Sequence, residues 1–562
     1  MQTVSAREER AKGSTHHATN VANAWKYLAG FVGVFLLLFL ASNRRVVVYD
    51  EGILLTGVMR VMAGQVPHRD FYYNYGPATV YLIAGLFKLF GPSVLVERLL
   101  ALFADSLLVV TLYAMTRRLC KPKVATVAGC YGLLWMFGLG AWSLLAVVML
   151  WATWLLRKVF QSDLPAIRAF AAGALVGVAT LLRYDMGAGI LACHVLTIGV
   201  ASYLRRDSLR SRAVSMARSL WGYVLGLAVV VAPPAWAYLR VAPVHDLLFD
   251  IVLYTAHHYH AARALPFPWR HLAQLQDLVV YVLVVLMAIS VYVAARYMIA
   301  FRKRERVQTD VIPEWIAVLI PFLFIALMAY AKGVVRLGAA GEALAAMPCI
   351  VMTAVLYEHR EIFSEGLRKT LRVMIVLLWI FAGWGALHAV SGLHKFKSSM
   401  LLWMIEPAKM DPQPPFDGWC RDRNPVTRGV CYSMDSDHIQ TVEFLEAHTK
   451  PGDTLFVGLP QHDRIFINDN MTYFATQRLP ATKWSHFDPF LQNTAPIQQE
   501  MVAELERNKP PYVVLDSEFD AVHEPNGSSV HTGVHLLDNY IAQHYQWVKT
   551  FGEMTILQRR AG

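Results

Sequence analysis

Stretches of about 20 apolar residues, the length that crosses a hydrocarbon core of about 30 Å, recur along the first two thirds of the chain and constrain its fold more than any other feature. About eleven can be read, at 25–41, 93–116, 124–140, 142–159, 166–182, 187–204, 219–239, 276–298, 312–331, 338–357 and 371–391. Backbone in lipid must satisfy its own hydrogen bonds, so these segments are expected to be transmembrane helices. Composition agrees. Of 562 residues, 56% are hydrophobic and 17% charged, too little charge to coat a water-soluble protein of this size. A cytosolic enzyme and a disordered scaffold are excluded. The net charge of +11 would suit a nucleic-acid partner, but the clusters Arg117, Arg118, Lys121, Lys123; Arg157, Lys158, Arg168; Arg205, Arg206, Arg210, Arg212, Arg218; Arg302, Lys303, Arg304, Arg306; and Arg360, Arg368, Lys369, Arg372 share one side of this threading. Lys and Arg crowd cytoplasmic loops in this way, so the basic excess reflects topology and no nucleic-acid partner is expected.

A cytoplasmic tail at 1–24 and an odd number of spans within 25–391 put the carboxyl-terminal segment outside, at the periplasmic face of a bacterial cytoplasmic (inner) membrane. The first apolar run is long enough to remain as a span, and no cleaved signal is expected. Three long connections lie on the outer side, at 43–92, 240–275 and 392–562, where a membrane protein can meet a polar substrate. The last reads as an extracytoplasmic α/β domain with strands at 454–458, 512–516 and 547–557, helices at 441–449, 496–508 and 534–545, and a mainly parallel sheet. Of six cysteines, only Cys420 and Cys431 lie in that domain, where an oxidising compartment would let them close a loop worth about 2–3 kcal/mol.

The first outer loop concentrates chemistry. Two carboxylates, Asp50 and Glu51, follow the first span directly; a helix start, with Asp50 capping the run Ile53 to Met62, would also explain them. Then come Gly64-Gln-Val-Pro67-His68-Arg69-Asp70-Phe71, Tyr72-Tyr-Asn74-Tyr75-Gly76-Pro77, and an apolar run at 80–90 too short to cross the bilayer. That run is expected to be an interfacial helix, with Tyr72, Tyr73, Tyr75 and Tyr81 as aromatic anchors.

This order of features resembles the membrane glycosyltransferases of the C-type fold (GT-C), and most closely the bacterial branch related to protein O-mannosyltransferases, the aminoarabinose transferase and lipopolysaccharide-core sugar transferases. The likeness is dense over about 45–120 and thinner to about 390. It implies a polytopic helical fold with interfacial helices in the first outer loop, a polyprenyl-monophosphate sugar as donor, a cell-envelope acceptor, and transfer with inversion. Asp50 matches the family's catalytic carboxylate, which acts as base on the acceptor hydroxyl, a role typically worth about 10²–10⁴ in rate. Glu51, Arg69, Asp70 and Tyr75 would position the acceptor or sugar, and Asp50 with Glu51 could hold a divalent cation, Mg²⁺ or Mn²⁺, or none. The sequence departs from the aminoarabinose branch where that branch carries a Lys facing the donor phosphate. Here Asn74-Tyr75-Gly76-Pro77 takes its place, so the phosphate needs another cation or the subfamily differs.

Cations for that phosphate are sought at three places. Arg183, in Leu181-Leu-Arg183-Tyr184-Asp185, interrupts apolar sequence where two spans meet outside; an ion pair with Asp185 is the alternative. Arg336 lies in a second outer turn, Lys332-Gly333-Val-Val-Arg336, where snorkelling to headgroups is the alternative. His257, His258, His260 and Arg263 share the second loop; His258 and Arg263 suit phosphate contact, and the spacing does not complete a zinc set. In the external domain, Gln461-His462-Asp463-Arg464 and Asn468-Asp469-Asn470 follow no catalytic spacing, and turn chemistry accounts for the second. The domain is assigned to acceptor binding or partner docking. Intramembrane Arg and Asp also suit a transporter or flippase of polyprenyl-linked sugars, and an assembly subunit could keep the fold without the chemistry.

Overall fold

The structure is a computed structural model that describes residues 24–43, 45–139, 142–160, 166–205, 208–267, 278–303, 312–336, 339–391 and 434–561. A helix stands at each of the apolar segments. In chain order the first are α1 (Ala24–Ala41), α2 (Asp50–Met62), α3 (Ala78–Phe90), α4 (Val94–Arg117), α5 (Pro122–Leu139), α6 (Ser143–Leu156), α7 (Ala166–Leu182), α8 (Tyr184–Leu204) and α9 (Leu209–Leu239). Helices Leu278–Lys303, Glu314–Gly333, Ala339–Glu358 and Glu365–Ser391 complete the bundle. Among the described residues, seven helices are long and apolar enough to cross a membrane. Apolar side chains also cover much of the outer surface: Leu36, Trp221, Trp236 and Tyr292 are all more than half exposed, which lipid tolerates and water does not. The protein is a multi-pass membrane protein.

The first outer loop folds into two short helices lying beside the bundle. On α3, Val80, Ile83, Ala84 and Phe87 are buried at helical spacing, while Tyr81, Leu82, Leu89 and Phe90 are exposed. An interfacial helix with one face on protein and the other on lipid fits this pattern. Of the expected aromatic anchors, however, only Tyr81 is on the surface. Tyr72 and Tyr73 are core residues, 1% and 3% exposed: Tyr72 packs on Trp484 and His486 of the carboxyl-terminal domain, and Tyr73 is enclosed by His68, Phe71 and Tyr75 of its own loop.

That domain, 434–561, carries a five-stranded sheet in the order β2-β1-β3-β5-β4, with β1 Thr454–Gly458, β2 Leu479–Pro480, β3 Tyr512–Asp516, β4 Tyr545–Phe551 and β5 Met554–Arg559. The first three strands are parallel, and β5 pairs antiparallel with both β3 and β4. The expected single strand at 547–557 is therefore corrected to a hairpin. Gly552, at φ +49°, turns the chain between two runs of alternating residues that read as one. Helices were expected at 441–449, 496–508 and 534–545 and are found at Ser436–His448, Ala495–Asn508 and Leu536–His544. Cys420 and Cys431 lie outside the described residues.

The domain sits on the first loop. The backbone N–H groups of Asn470 and Met471 donate to Val48 O at 3.0 and 3.1 Å, and Thr56 Oγ1 donates to Asn470 O at 2.8 Å. A Cβ on Gly52 would lie 2.6 Å from Met471 N, so only glycine lets the amino end of α2 approach that backbone. The Asn468-Asp469-Asn470 cluster makes this contact: Asp469 Oδ1 accepts from Met471 N at 2.6 Å and starts the short helix Met471–Thr476.

Candidate active site

Asp50 opens α2, but it does not cap it. The residue before the helix is Tyr49, and no side chain caps the end. The Asp50 carboxylate is exposed and accepts no hydrogen bond from any described residue. Protein crowding raises its pKa above the ordinary carboxylate value; the cations Arg263 and Arg336 oppose that rise and Asp488 adds to it. A carboxylate held open, under two cations and partly stripped of water, is equipped to take a proton.

Its neighbour Glu51 is occupied. Arg98 grips it with both arms, Nε to Oε1 at 2.7 Å and Nη2 to Oε2 at 2.8 Å, and Val47 N donates to Oε2 at 2.9 Å. This bidentate pair pins the amino end of α2 to the start of α4. With both oxygens engaged, Glu51 has a structural task in this arrangement, and Asp50 alone faces outward.

Arg69 and Asp70 belong to the platform beneath. They pair with each other at 2.9 and 2.7 Å and border a surface recess with Gln65, Lys483, Glu500, Glu504 and Arg507. The turn they sit in is held by His68, left-handed at φ +63°, whose Nδ1 lies 2.9 Å from Asp250 Oδ2 in a fully buried pair. Arg60 adds a buried guanidinium that donates to Gln65 Oε1, Thr482 O, Ser485 Oγ and Asp70 O.

Arg263 ends a helical segment, 244–263, that contains two π-helical stretches, Phe249–Leu253 and Thr255–Tyr259. It is 4% exposed, and its Nη2 donates to Asp488 Oδ1 at 2.8 Å and to the Tyr49 hydroxyl at 3.2 Å. Asp488 Oδ2 accepts from the Tyr72 hydroxyl and from Asn74 Nδ2, both at 3.0 Å. His486 Nε2 lies 3.1 Å from the Tyr49 hydroxyl, and burial lowers its pKa, keeping it neutral at pH 7. Three parts of the chain thus meet beside Asp50. Sequence reasoning missed Tyr49, Tyr72, His486 and Asp488 as members of this set. The run Ser485-His486-Phe487-Asp488-Pro489 was the available signal, since it packs polar chemistry among large apolar residues.

Arg336 reaches across the same boundary. Its two Nη atoms donate to the Glu524 carboxylate at 3.1 and 3.0 Å, and Nη1 also to Arg263 O at 3.2 Å. Arg336 is 38% exposed, and pairs in that setting are worth about 0–1 kcal/mol. Arg336→Ala is therefore expected to leave the thermal midpoint of the purified protein within a few degrees of wild type. His258 is exposed; its ring stands near those of Tyr254, His257 and Phe490, and neither nitrogen has a described hydrogen-bond partner.

Arg183 lies where α7 passes to α8. Nε donates to Asp185 Oδ1 at 3.0 Å, and Lys332 Nζ takes the other oxygen at 2.9 Å, so two cations share one carboxylate. The guanidinium stacks 3.9 Å from the Trp142 ring and 5.4 Å from that of Tyr75, and its Nη groups donate to no described residue. Tyr75 lies within electrostatic reach of both Arg183 and Asp50. Gly76 packs on the last turn of α7, where a Cβ would lie 2.8 Å from Leu181 O, and this close approach carries the Asn74–Pro77 loop to Arg183. The expected donor-phosphate residues thus divide: Arg263 and Arg336 are bound to carboxylates of the carboxyl-terminal domain, whereas Arg183 keeps donors that engage no described residue and His258 is exposed.

No protein-family model matches the chain, and neither does any curated protein sequence. Solved structures similar to it include two of ArnT from Cupriavidus metallidurans. The form bound to undecaprenyl phosphate shares 14% identity at a TM-score of 0.52, over 96% of this chain and 99% of that one. The apo form shares 15% identity at a TM-score of 0.51, over 96% and 98%. At that identity the likeness speaks for fold, and it includes the external domain as well as the bundle. The chain has the membrane glycosyltransferase fold of C type.

Proposed function

We propose that the protein is an inverting glycosyltransferase that moves a sugar from a polyprenyl-monophosphate donor to an acceptor at the outer face of a bacterial inner membrane. The observation that carries this reading is the unengaged Asp50 carboxylate, set under Arg263 and Arg336 at the amino end of α2. It is supported by the fold shared with an ArnT structure that holds undecaprenyl phosphate. In the reaction, the acceptor hydroxyl gives its proton to Asp50 as its oxygen attacks the anomeric carbon. The bond from that carbon to the phosphate oxygen breaks, and polyprenyl phosphate leaves. Phosphate is a good leaving group, so stabilising its charge matters more than protonating it. Arg183, with Lys332 beside it, supplies that charge; Arg can clamp two phosphate oxygens at once. Tyr75, between Arg183 and Asp50, forms the wall along the sugar. Arg263 holds the external domain over the site, and Arg263 and Arg336 together lower the cost of ionising Asp50.

The test is release of polyprenyl phosphate from a panel of polyprenyl-phosphate sugars by the purified protein in lipid nanodiscs, with a membrane extract as acceptor. Release from one donor that depends on acceptor is expected. Binding of donors with no release from any of them, in the presence of a competent acceptor, would favour transport or an assembly role instead.

A further inference from the structure

The external domain buries a second group of titratable side chains that the proposed reaction does not use. His438 lies in the first turn of helix Ser436–His448, Asp516 ends β3, and Glu518 follows two residues on. One ligand atom from each lies within 4.8 Å of the others. His438 is 3% exposed, yet neither ring nitrogen has a hydrogen-bond partner. Asp516 is fully buried with Oδ2 unpartnered, and Glu518 Oε2 is buried and unpartnered as well. His438 Nε2 stands 3.8 Å from Glu518 Oε2 and 4.0 Å from Asp469 Oδ2, so a fourth donor closes the group.

Orphaned polar atoms in a folded interior cost free energy, and here one ligand atom from each of three such residues lies within 4.8 Å of the others. Of the charges acting on Glu518, Asp469 and Glu553 are negative and Arg45 is paired with Asp435, which leaves His438, itself a member of the group, as the main one that opposes them. A divalent cation would satisfy the orphaned atoms and most of the charge together.

We propose that His438, Asp516 and Glu518, with Asp469 as fourth donor, bind one divalent transition-metal ion. An imidazole with carboxylates and no thiolate suits Zn²⁺ or Mn²⁺. Neighbouring ligands on a tetrahedral ion stand about 3.4 Å apart, so His438 Nε2, at 3.8 Å from Glu518 Oε2 and 4.0 Å from Asp469 Oδ2, must draw in as the group closes on the ion. The ion joins three elements: helix 436–448, the end of β3, and Asp469, which starts the helix that hydrogen-bonds to Val48, two residues before Asp50. Its task is to brace the external domain on the catalytic loop. The site is separate from Asp50 and Glu51, and its test does not depend on the transferase reading.

The full-length protein in nanodiscs, stripped with chelator, given Zn²⁺ or Mn²⁺ and desalted, should retain about one ion per chain by elemental analysis. The Mn²⁺ form should show electron spin-echo modulation from a single imidazole nitrogen. Glu518→Gln, at the half-exposed rim where folding is least at risk, should weaken retention by roughly 100-fold, and His438→Gln should abolish the nitrogen signal. Glu51→Gln should retain the ion as wild type does. Failure of the stripped wild type to retain either metal, or retention unchanged in both Glu518→Gln and Asp516→Asn, would overturn the assignment.

Discussion

Asp50→Asn should lower the rate of acceptor-dependent polyprenyl phosphate release by about 10²–10⁴, the usual contribution of a positioned base, while donor binding and thermal stability stay close to wild type. The substitution keeps the shape and removes only the proton-accepting charge. Nothing in the fold depends on it, because Asp50 neither caps α2 nor pairs with a described cation. The pH profile is a second readout. A base must be ionised, so the rate rises with pH through the pKa of Asp50, and crowding has raised that pKa above its ordinary value of 3.8. The acid limb should therefore lie above the pH at which a solvated carboxylate titrates. Arg336 pulls the pKa down, so Arg336→Gln should move the limb to higher pH. A limb at the solvated position, or one indifferent to Arg336, would remove Asp50 from the role of base.

The second large effect concerns the buried pair beneath it. Arg263→Ala leaves Asp488 charged, 2% exposed and short of its main partner, and breaking a buried pair in this way typically costs about 3–5 kcal/mol. We expect a thermal midpoint lowered by several degrees in detergent and easier proteolytic release of the 434–561 domain. The double substitution Arg263→Met with Asp488→Leu removes both charges and should recover much of the stability but not the activity. Equal losses in single and double variants would mean that the pair does not hold the domain in place.

The bundle was legible because lipid imposes one rule on every span, an unbroken apolar length, which local sequence displays directly. The place of Asp50 at the start of α2 was legible because it follows a span within a dense run of familiar motif. The pairing of Glu51 was not, since its partner Arg98 lies 47 positions away. Asp488 was harder still. Its cation Arg263 lies 225 positions earlier, on a loop where it was expected to contact the donor phosphate and not a carboxylate. The β4–β5 hairpin was read as one strand because the alternation continues through the turn. Long-range pairing between a membrane domain and a soluble one leaves no periodic trace in either.

The residues around Asp50 include Asp488 and Glu524, which the ribosome adds more than 400 positions after the base itself. A chain still being inserted therefore carries the carboxylate but lacks the wall that surrounds it. The surroundings of Asp50 are complete only after the carboxyl-terminal domain has folded onto the first loop, so an unfinished copy carries the carboxylate in an open, unwalled setting.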